Sequence, residues 1–446
     1  MQNIWNNERG AAMIAGLLFL VVLSVLGTTA YMTSSNDLTI CQNYKSSKQS
    51  FYMAEAGVQY ALGEIENGLS AGTFTMPSST GSSVSLSGFG IPSGFSFTLS
   101  NMTMASSNSY ALTSTGTSPS NSVSVVEVYF KRKSALNYAA FGDVEFDGKN
   151  SASVYSYDHT DSGNQPGDPG FTSTGEGDIG SNGEVILHNG MMVDGDVALG
   201  ADETDPTDTA DITEMGGGGV VTGDKGVEVG WVDPDPLNVA GTAFSSDFTT
   251  YSSSNDNVSL AGIGTSINNP SSAVNLVGQS GGANYYFTEI SLGNSDVINI
   301  DASAGTVNVY LEGNMVLDNA AELNITGTSE SNTVNIYVQE PSGGYSGDII
   351  NFKNGSVINI SGNPTEFSII SSSDAGVRFH NSSAFKGTVY APYAEVEMNN
   401  SSSVYGAIWG SNVLMHNGGD LYFDTALKDK YQSNELELTS WRPVHN

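Results

Sequence analysis

The sequence has little with which to cross-link itself or to hold a polyanion. One cysteine, Cys41, stands among 446 residues. No internal disulfide can form, so stability has to come from burial and backbone pairing. Fourteen lysines and arginines face 47 aspartates and glutamates, a formal charge of -33. The longest basic run is Lys131-Arg132-Lys133. A surface of this sign repels phosphate backbones and anionic headgroups, which excludes nucleic acid as a partner. The acid excess reads as solubility in a salty or calcium-containing medium. By length the chain holds about two or three domains.

One long apolar run is present. Ala11 to Tyr31 carries no charge, and as a helix it would span roughly 30 Å, the thickness of a bilayer core. Gly16, Ser24 and Gly27 break its surface with small residues that let another helix approach. A secretory signal is cut after its apolar run. Here the processing site is the glycine before it, so cleavage between Gly10 and Ala11 would leave the helix on the mature chain as an anchor. From Ser35 to Asn67 there is no proline, and Leu38, Cys41, Tyr44, Phe51, Ala54, Val58, Ala61, Leu62, Ile65 and Leu69 recur at three- or four-residue steps. That is one apolar stripe on a helix that continues into water. Gly68 and Gly72 supply its stop.

Two phrases make a resemblance specific. Arg9-Gly10-Ala11-Ala12 before a Leu/Val run, and Phe51-Tyr52-Met53-Ala54-Glu55-Ala56-Gly57-Val58, resemble the N-terminal region of PilX-like minor pilins of type IV pili and related secretion systems. The resemblance implies cleavage by prepilin peptidase after Gly10 and N-methylation of Ala11. It also implies packing of the helix against other minor and major pilins. The localisation it implies is the bacterial inner membrane with a periplasm-facing ectodomain, then the pilus or cell surface. Major pilins carry glutamate at the fifth mature position, where this chain has Ala15. A lipid-buried carboxylate costs about 2.5–3.5 kcal/mol unless paired. Its absence suits a minor subunit at or near a filament tip.

The fold expected is mainly β, with residues 1–10 as leader and 11–72 as the transmembrane and amphipathic helix. Residues 73–133 form a small antiparallel headpiece, and 134–446 a parallel β-helix with an irregular insertion at about 201–295. The β-helix rests on a repeat. Segments starting at Val185, Val377, Val396 and Val413 each carry asparagine at the fifth position (Asn189, Asn381, Asn400, Asn417) and an apolar residue at the ninth (Val193, Phe385, Val404, Leu421). Glycine follows at Gly195, Gly387 and Gly406, and an apolar residue at Val197, Val389 and Ile408. Asparagine accepts a left-handed backbone. A short strand, a left-handed corner and a second strand at a period near 17–19 residues describe one coil, and stacked asparagines can form a hydrogen-bonded ladder. Looser copies put Gly148, Asn319, Gly327 and Gly362 at the corner. Leu436-Glu-Leu438 and Trp441 are expected to cap the solenoid's end. A β-sandwich is the rival fold.

Chemistry is sparse. Asp202, Asp205, Asp208 and Asp211 form an acidic loop and are a candidate calcium set, although the spacing is not that of an EF-hand. No other cofactor is indicated. His188, His380 and His416 share one repeat position, and His380 and His416 would stand two coils apart, about 10 Å, too far for one zinc. Basic residues for catalysis are few, chiefly Lys353, Arg378 and Lys386. The expected function is therefore structural contact or adhesion, with a glycan or surface protein as partner. The alternative is a carbohydrate-active β-helix enzyme on a pilin-type anchor, marked by carboxylates converging with Arg378.

Overall fold

The structure is a computed structural model that describes residues 4–70, 83–85, 93–100, 103–106, 109–134, 136–202, 209–260, 262–359, 362–430 and 432–444. The fold is mainly β and divides into two units: Met1–Lys133 with Asn434–Asn446, and Ser134–Ser433.

The first unit is built on one helix, α1 (Ile4–Ser70). Its sheet is antiparallel and comprises β1 (Ser83–Ser85), β2 (Ser96–Leu99), β3 (Thr103–Ser106), β4 (Ser109–Thr117) and β5 (Val123–Ser134). Alternation puts Leu112, Val126, Val128 and Phe130 on the face that meets the helix, where Ala54, Val58, Ala61 and Ile65 are buried. Two glycines permit the approach. A Cβ on Gly57 would lie 2.9 Å from the Phe97 ring, and one on Gly116 would press on the Ser50 carbonyl and the Ala54 amide. The Ala54–Gly57 phrase is thus the contact between helix and sheet. The stripe read from sequence is divided: Leu38, Cys41 and Tyr44 are exposed, and only the half from Ser50 onward packs on the sheet.

The C-terminal strand, Gln432–Val444, lies beside β5 in this same sheet. Trp441 meets Phe51 edge-on at 5.6 Å, and Arg442 donates to Glu127 at 2.7 Å. This corrects the expectation that Trp441 caps the solenoid. The strand alternates and completes the headpiece, so the second unit is an insertion between two neighbouring strands.

That second unit is a parallel, solenoid-like sheet. The repeat residues are register partners: Val377 faces Val396, which faces Val413, and Phe385, Val404 and Leu421 face one another in turn. One inward column runs Ile267, Ile290, Met315, Ile350, Val377, Val396, Val413, Phe146 and Val185. All nine are buried, which is how a narrow apolar core holds the unit without cross-links.

Chain order and spatial order differ. The first strand, Ala140–Gly148, lies between Ser403–Met415 on one side and Ile179–Ser181 and Glu184–His188 on the other. From there the chain builds to Asp211–Met215 on Glu184–His188, crosses to Ser266–Asn268, and winds back. The region expected to be irregular, 201–295, therefore contributes strands at 211–228 and 266–292. Its crossing segment is fastened at Asp235, whose carboxylate accepts from Tyr390 (2.9 Å) and Tyr393 (2.8 Å), while Trp409 Nε1 donates to the Pro234 carbonyl at 2.8 Å. Helix α2 (Thr242–Ser253) then lays Phe248 and Tyr251 over Tyr310.

The corners carry positive φ at Asn381, Asn400 and Asn417 (40°, 52° and 52°), each followed by a second left-handed residue, Ser382, Ser401 or Gly418. The looser copies are displaced. Asn189 yields to Gly190 (88°), Asn319 to Ala320 (54°), Gly362 to Asn359 (53°), and Gly148 to the pair Asn150–Ser151, while Gly327 (71°) stands where expected. The asparagines stack. Asn319 donates to Asn294 (3.1 Å), Asn354 to Asn319 (2.7 Å), Asn381 to Asn354 (2.5 Å), Asn400 to Asn381 (2.8 Å), Asn417 to Asn400 (3.1 Å) and Asn150 to Asn417 (3.0 Å).

Candidate functional site

The anchor segment is the first candidate. From Met13 to Leu26 the helix holds eleven large apolar side chains at 44–71% exposure. An 18-residue stretch has a mean hydropathy of 2.5, and none of it is buried within the chain. Gly10 and Ala11 lie in this helix, and no atom stands within 4 Å of where a Gly10 Cβ would be. An uncharged face of this length is chemically fitted to lipid or to other apolar helices.

The second unit brings together residues that the sequence kept apart. Of the acidic loop, Asp205 and Asp208 lie outside the described residues, and Asp202 and Asp211 are exposed. Asp147, which sequence reading passed over, lies between two of the repeat histidines, 3.2 Å from His188 and 3.9 Å from His416. Lys149 and the histidines hold its carboxyl below the usual range against the cost of burial. His380 stands apart from this group; burial and Arg378 lower its pKa. Arg378 is held by Asp348 (2.7 Å), Glu395 (3.3 Å) and Glu397. The carboxylates do converge on it, on a sheet face and as ion pairs.

A groove of about 470 Å³ lies beside the strand Ala384–Met398, which carries Lys386. Lys386, His159, Gln165, Thr328, Asn363 and Glu366 line it. His159 and Asp424 are 265 residues apart in sequence, yet Nδ1 of the ring is 2.7 Å from the carboxylate. The Asp424 side chain is fully buried. Burial raises its pKa, and His159 partly offsets this. With Nδ1 donating to Asp424, Nε2 is left for the groove. Ligand atoms of Asp158, His159 and Asp424 lie within 4.8 Å of one another, the proximity a metal needs. However, Asp158 Oδ1 already accepts from Thr160 N and Oγ1 (2.8 and 2.7 Å), so the group is closed by hydrogen bonds. Sequence reading had no signal for this site, because its parts come from a loop and from strands brought adjacent only by the return of the chain.

Comparison with known proteins follows the same division. The model of the PilX N-terminal family matches residues 9–59. That of a domain of unknown function, DUF7305, matches 250–430. No curated protein matches the chain. Among solved structures, the competence-associated pilin ComZ from Thermus thermophilus is 14% identical, with 90% of this chain and 98% of that one covered and a TM-score of 0.36. An ice binding protein from an Antarctic Biological Consortium is 11% identical (64% and 87% covered, TM-score 0.29). The ice-binding protein of the Antarctic ascomycete Antarctomyces psychrotrophicus is 13% identical (65% and 96% covered, TM-score 0.27). The family match begins at Arg9 and takes in both phrases, and the N-terminal region of this chain is that of a PilX-like type IV minor pilin.

Proposed function

We propose that the chain is a minor pilin-like subunit, cut after Gly10 by prepilin peptidase and methylated at Ala11. In this reading it is held in the bacterial inner membrane with its ectodomain facing the periplasm, and then joins other pilins through α1. Its parallel sheet is wound as a β-helix and displayed at or near a filament tip for contact or adhesion.

The observation that supports this most is the division of one helix into a packed half and an uncovered half. Ala54, Val58, Ala61 and Ile65 are buried on the headpiece, whereas the eleven large apolar residues from Met13 to Leu26 have no cover within the chain. At about 1.5–3 kcal/mol each, leaving them in water would cost on the order of 15–30 kcal/mol. Lipid before assembly and a helical bundle after it would both meet that demand. Ala15 leaves the anchor without a carboxylate, which suits a position where no subunit ahead needs pairing.

Display is favoured over turnover because Arg378, the cation on which the carboxylates converge, is committed to ion pairs with all three of them on a sheet face. The deciding measurement is mass spectrometry of the membrane-extracted protein. It should begin at Ala11, carry a methyl group, and become full-length in Gly10→Val. A wild-type chain beginning at Met1, or cut after residue 30, would overturn the pilin reading. Immunogold labelling of sheared filaments then tests tip display.

A further inference from the structure

We propose that the groove at Lys386 binds an acidic saccharide, with a uronate carboxylate paired to the Lys386 ammonium. The inference deepens the display reading above by naming a ligand class, and it rests on that reading for its biological setting.

Charge accounting carries it. In the parallel-stranded unit Lys149, Lys225, Lys353, Arg378 and Lys428 each stand in an ion pair with one or more carboxylates. In a chain of net charge -33 that is the expected condition for any cation. Lys386 differs: among the described residues it has no ion pair, and its ammonium lies over the Tyr405 ring at 5.8 Å. It is half-buried and lines the groove. Burial lowers its pKa, with Asp424 acting in the opposite sense. A half-buried ammonium with no carboxylate in ion-pairing contact is under-compensated: Asp424 acts on it only from farther off, and both Asp424 and the lining residue Glu366 have hydrogen-bond partners of their own. Glu366 accepts from Thr328 Oγ1 at 2.5 Å, and Asp424 is bonded to His159. A ligand carboxylate is the group that completes the site.

The rest of the lining selects the body of the ligand. Gln165, Asn363, Thr326 and Thr328 offer donors and acceptors together, Glu366 accepts, and His159 contributes Nε2. Sugar hydroxyls both donate and accept, so they match such a mixed surface. A lining with few apolar residues does not match an aliphatic acid. The volume is within the range of pockets for small ligands. The chain's negative field repels an anion at long range, but at physiological salt it is screened beyond about 8 Å, leaving the local ammonium to decide.

The test is calorimetry on the full processed chain in detergent, with trigalacturonate, the neutral maltotriose and acetate as probes. Trigalacturonate should bind roughly 10–100-fold more tightly than maltotriose, the worth of one charge-assisted contact. Lys386→Gln should lose that margin and Lys386→Arg should keep most of it, with unchanged unfolding midpoints showing that both variants are folded. Equal affinity for the two trisaccharides, or trigalacturonate binding unaffected by Lys386→Gln, would overturn the inference. Acetate competing as well as trigalacturonate would sink the saccharide assignment. The two readings fail separately: absence of binding by a chain that is still processed at Gly10 and labelled on filaments refutes the groove alone.

Discussion

Replacing Asn400 separates the two roles that the corner asparagines combine. Its φ is 52° and that of Ser401 is 60°, so both residues of this turn are left-handed. Its side chain also donates to Asn381 (2.8 Å) and accepts from Asn417 (3.1 Å). Asn400→Val forces a β-branched residue into a region costing about 1–2 kcal/mol and removes both ladder bonds. Those bonds are exposed, so they are worth about 1 kcal/mol together, the low end for hydrogen bonds. Asn400→Gly removes the bonds but keeps the backbone. The valine variant should therefore lose about 2–3 kcal/mol and the glycine variant about 1. At about 2 °C per kcal/mol for a unit of this size, their unfolding midpoints should differ by about 2–4 °C. Asn189→Val is the control. It has the same place in the sequence repeat, but the left-handed residue of its turn is Gly190, so it should fall within about 0.5 kcal/mol of wild type. Equal midpoints for the two Asn400 variants, or an Asn189→Val as costly as Asn400→Val, would refute the corner argument.

Two further outcomes are expected. Gly116→Val should destabilise the first unit by about 3 kcal/mol or more, because its side chain would meet the backbone of α1 at Ser50 and Ala54 and backbone cannot rotate away. Loss of near-ultraviolet ellipticity from the Phe97–Phe130 core would report it, and an unchanged midpoint would contradict the packing described. Glu145→Gln should stabilise the chain at pH 7. Burial and the neighbouring Asp147 and Glu184 raise the pKa of Glu145, so the charged form costs folding energy above the folded-state pKa, and none remains below the unfolded value of about 4.3. The advantage should shrink as pH falls toward 4; an advantage that grows on acidification would be the wrong sign.

The parts of the fold governed by short-range rules were legible. Inward positions alternate at period two, and the repeat valines Val377, Val396 and Val413 are register partners. The ladder followed because asparagine is both the residue that turns left and the one that can bond to its own copy one coil away. What could not be read was the order of the coils. The strands Ala140–Gly148 and Ser403–Met415 are neighbours, but an apolar alternation shared by many strands does not say which copy lies beside which. For the same reason Trp441 was assigned to the wrong unit: an alternating strand fits either sheet, and only the pairing with β5 decides. Corner positions slipped by one or two residues where Gly190 or Asn359 offered an easier left-handed site than the aligned one. The Lys386 groove was invisible because its lining spans more than 200 residues and its defining property, a cation outside any ion pair among the described residues, belongs to the folded state.

The placement of the first coil between later ones bears on how the protein is made. Asn150 and Asn417 are neighbours in the ladder but 267 residues apart in the chain, and β5 waits for a partner strand that begins at Gln432. The second unit therefore stays open until the strand Ser403–Met415 has been made and the first until Gln432–Val444 has, each with an unpaired strand edge in the meantime. Closing such long loops is slow on the scale of folding. Because the anchor leaves the ribosome first, the unfinished chain would spend that interval tethered to a membrane, where neighbouring copies are held at high local concentration. Truncation before Asp424 would leave both sheets incomplete, whereas truncation between Asp424 and Gln432 would leave the headpiece alone without its last strand.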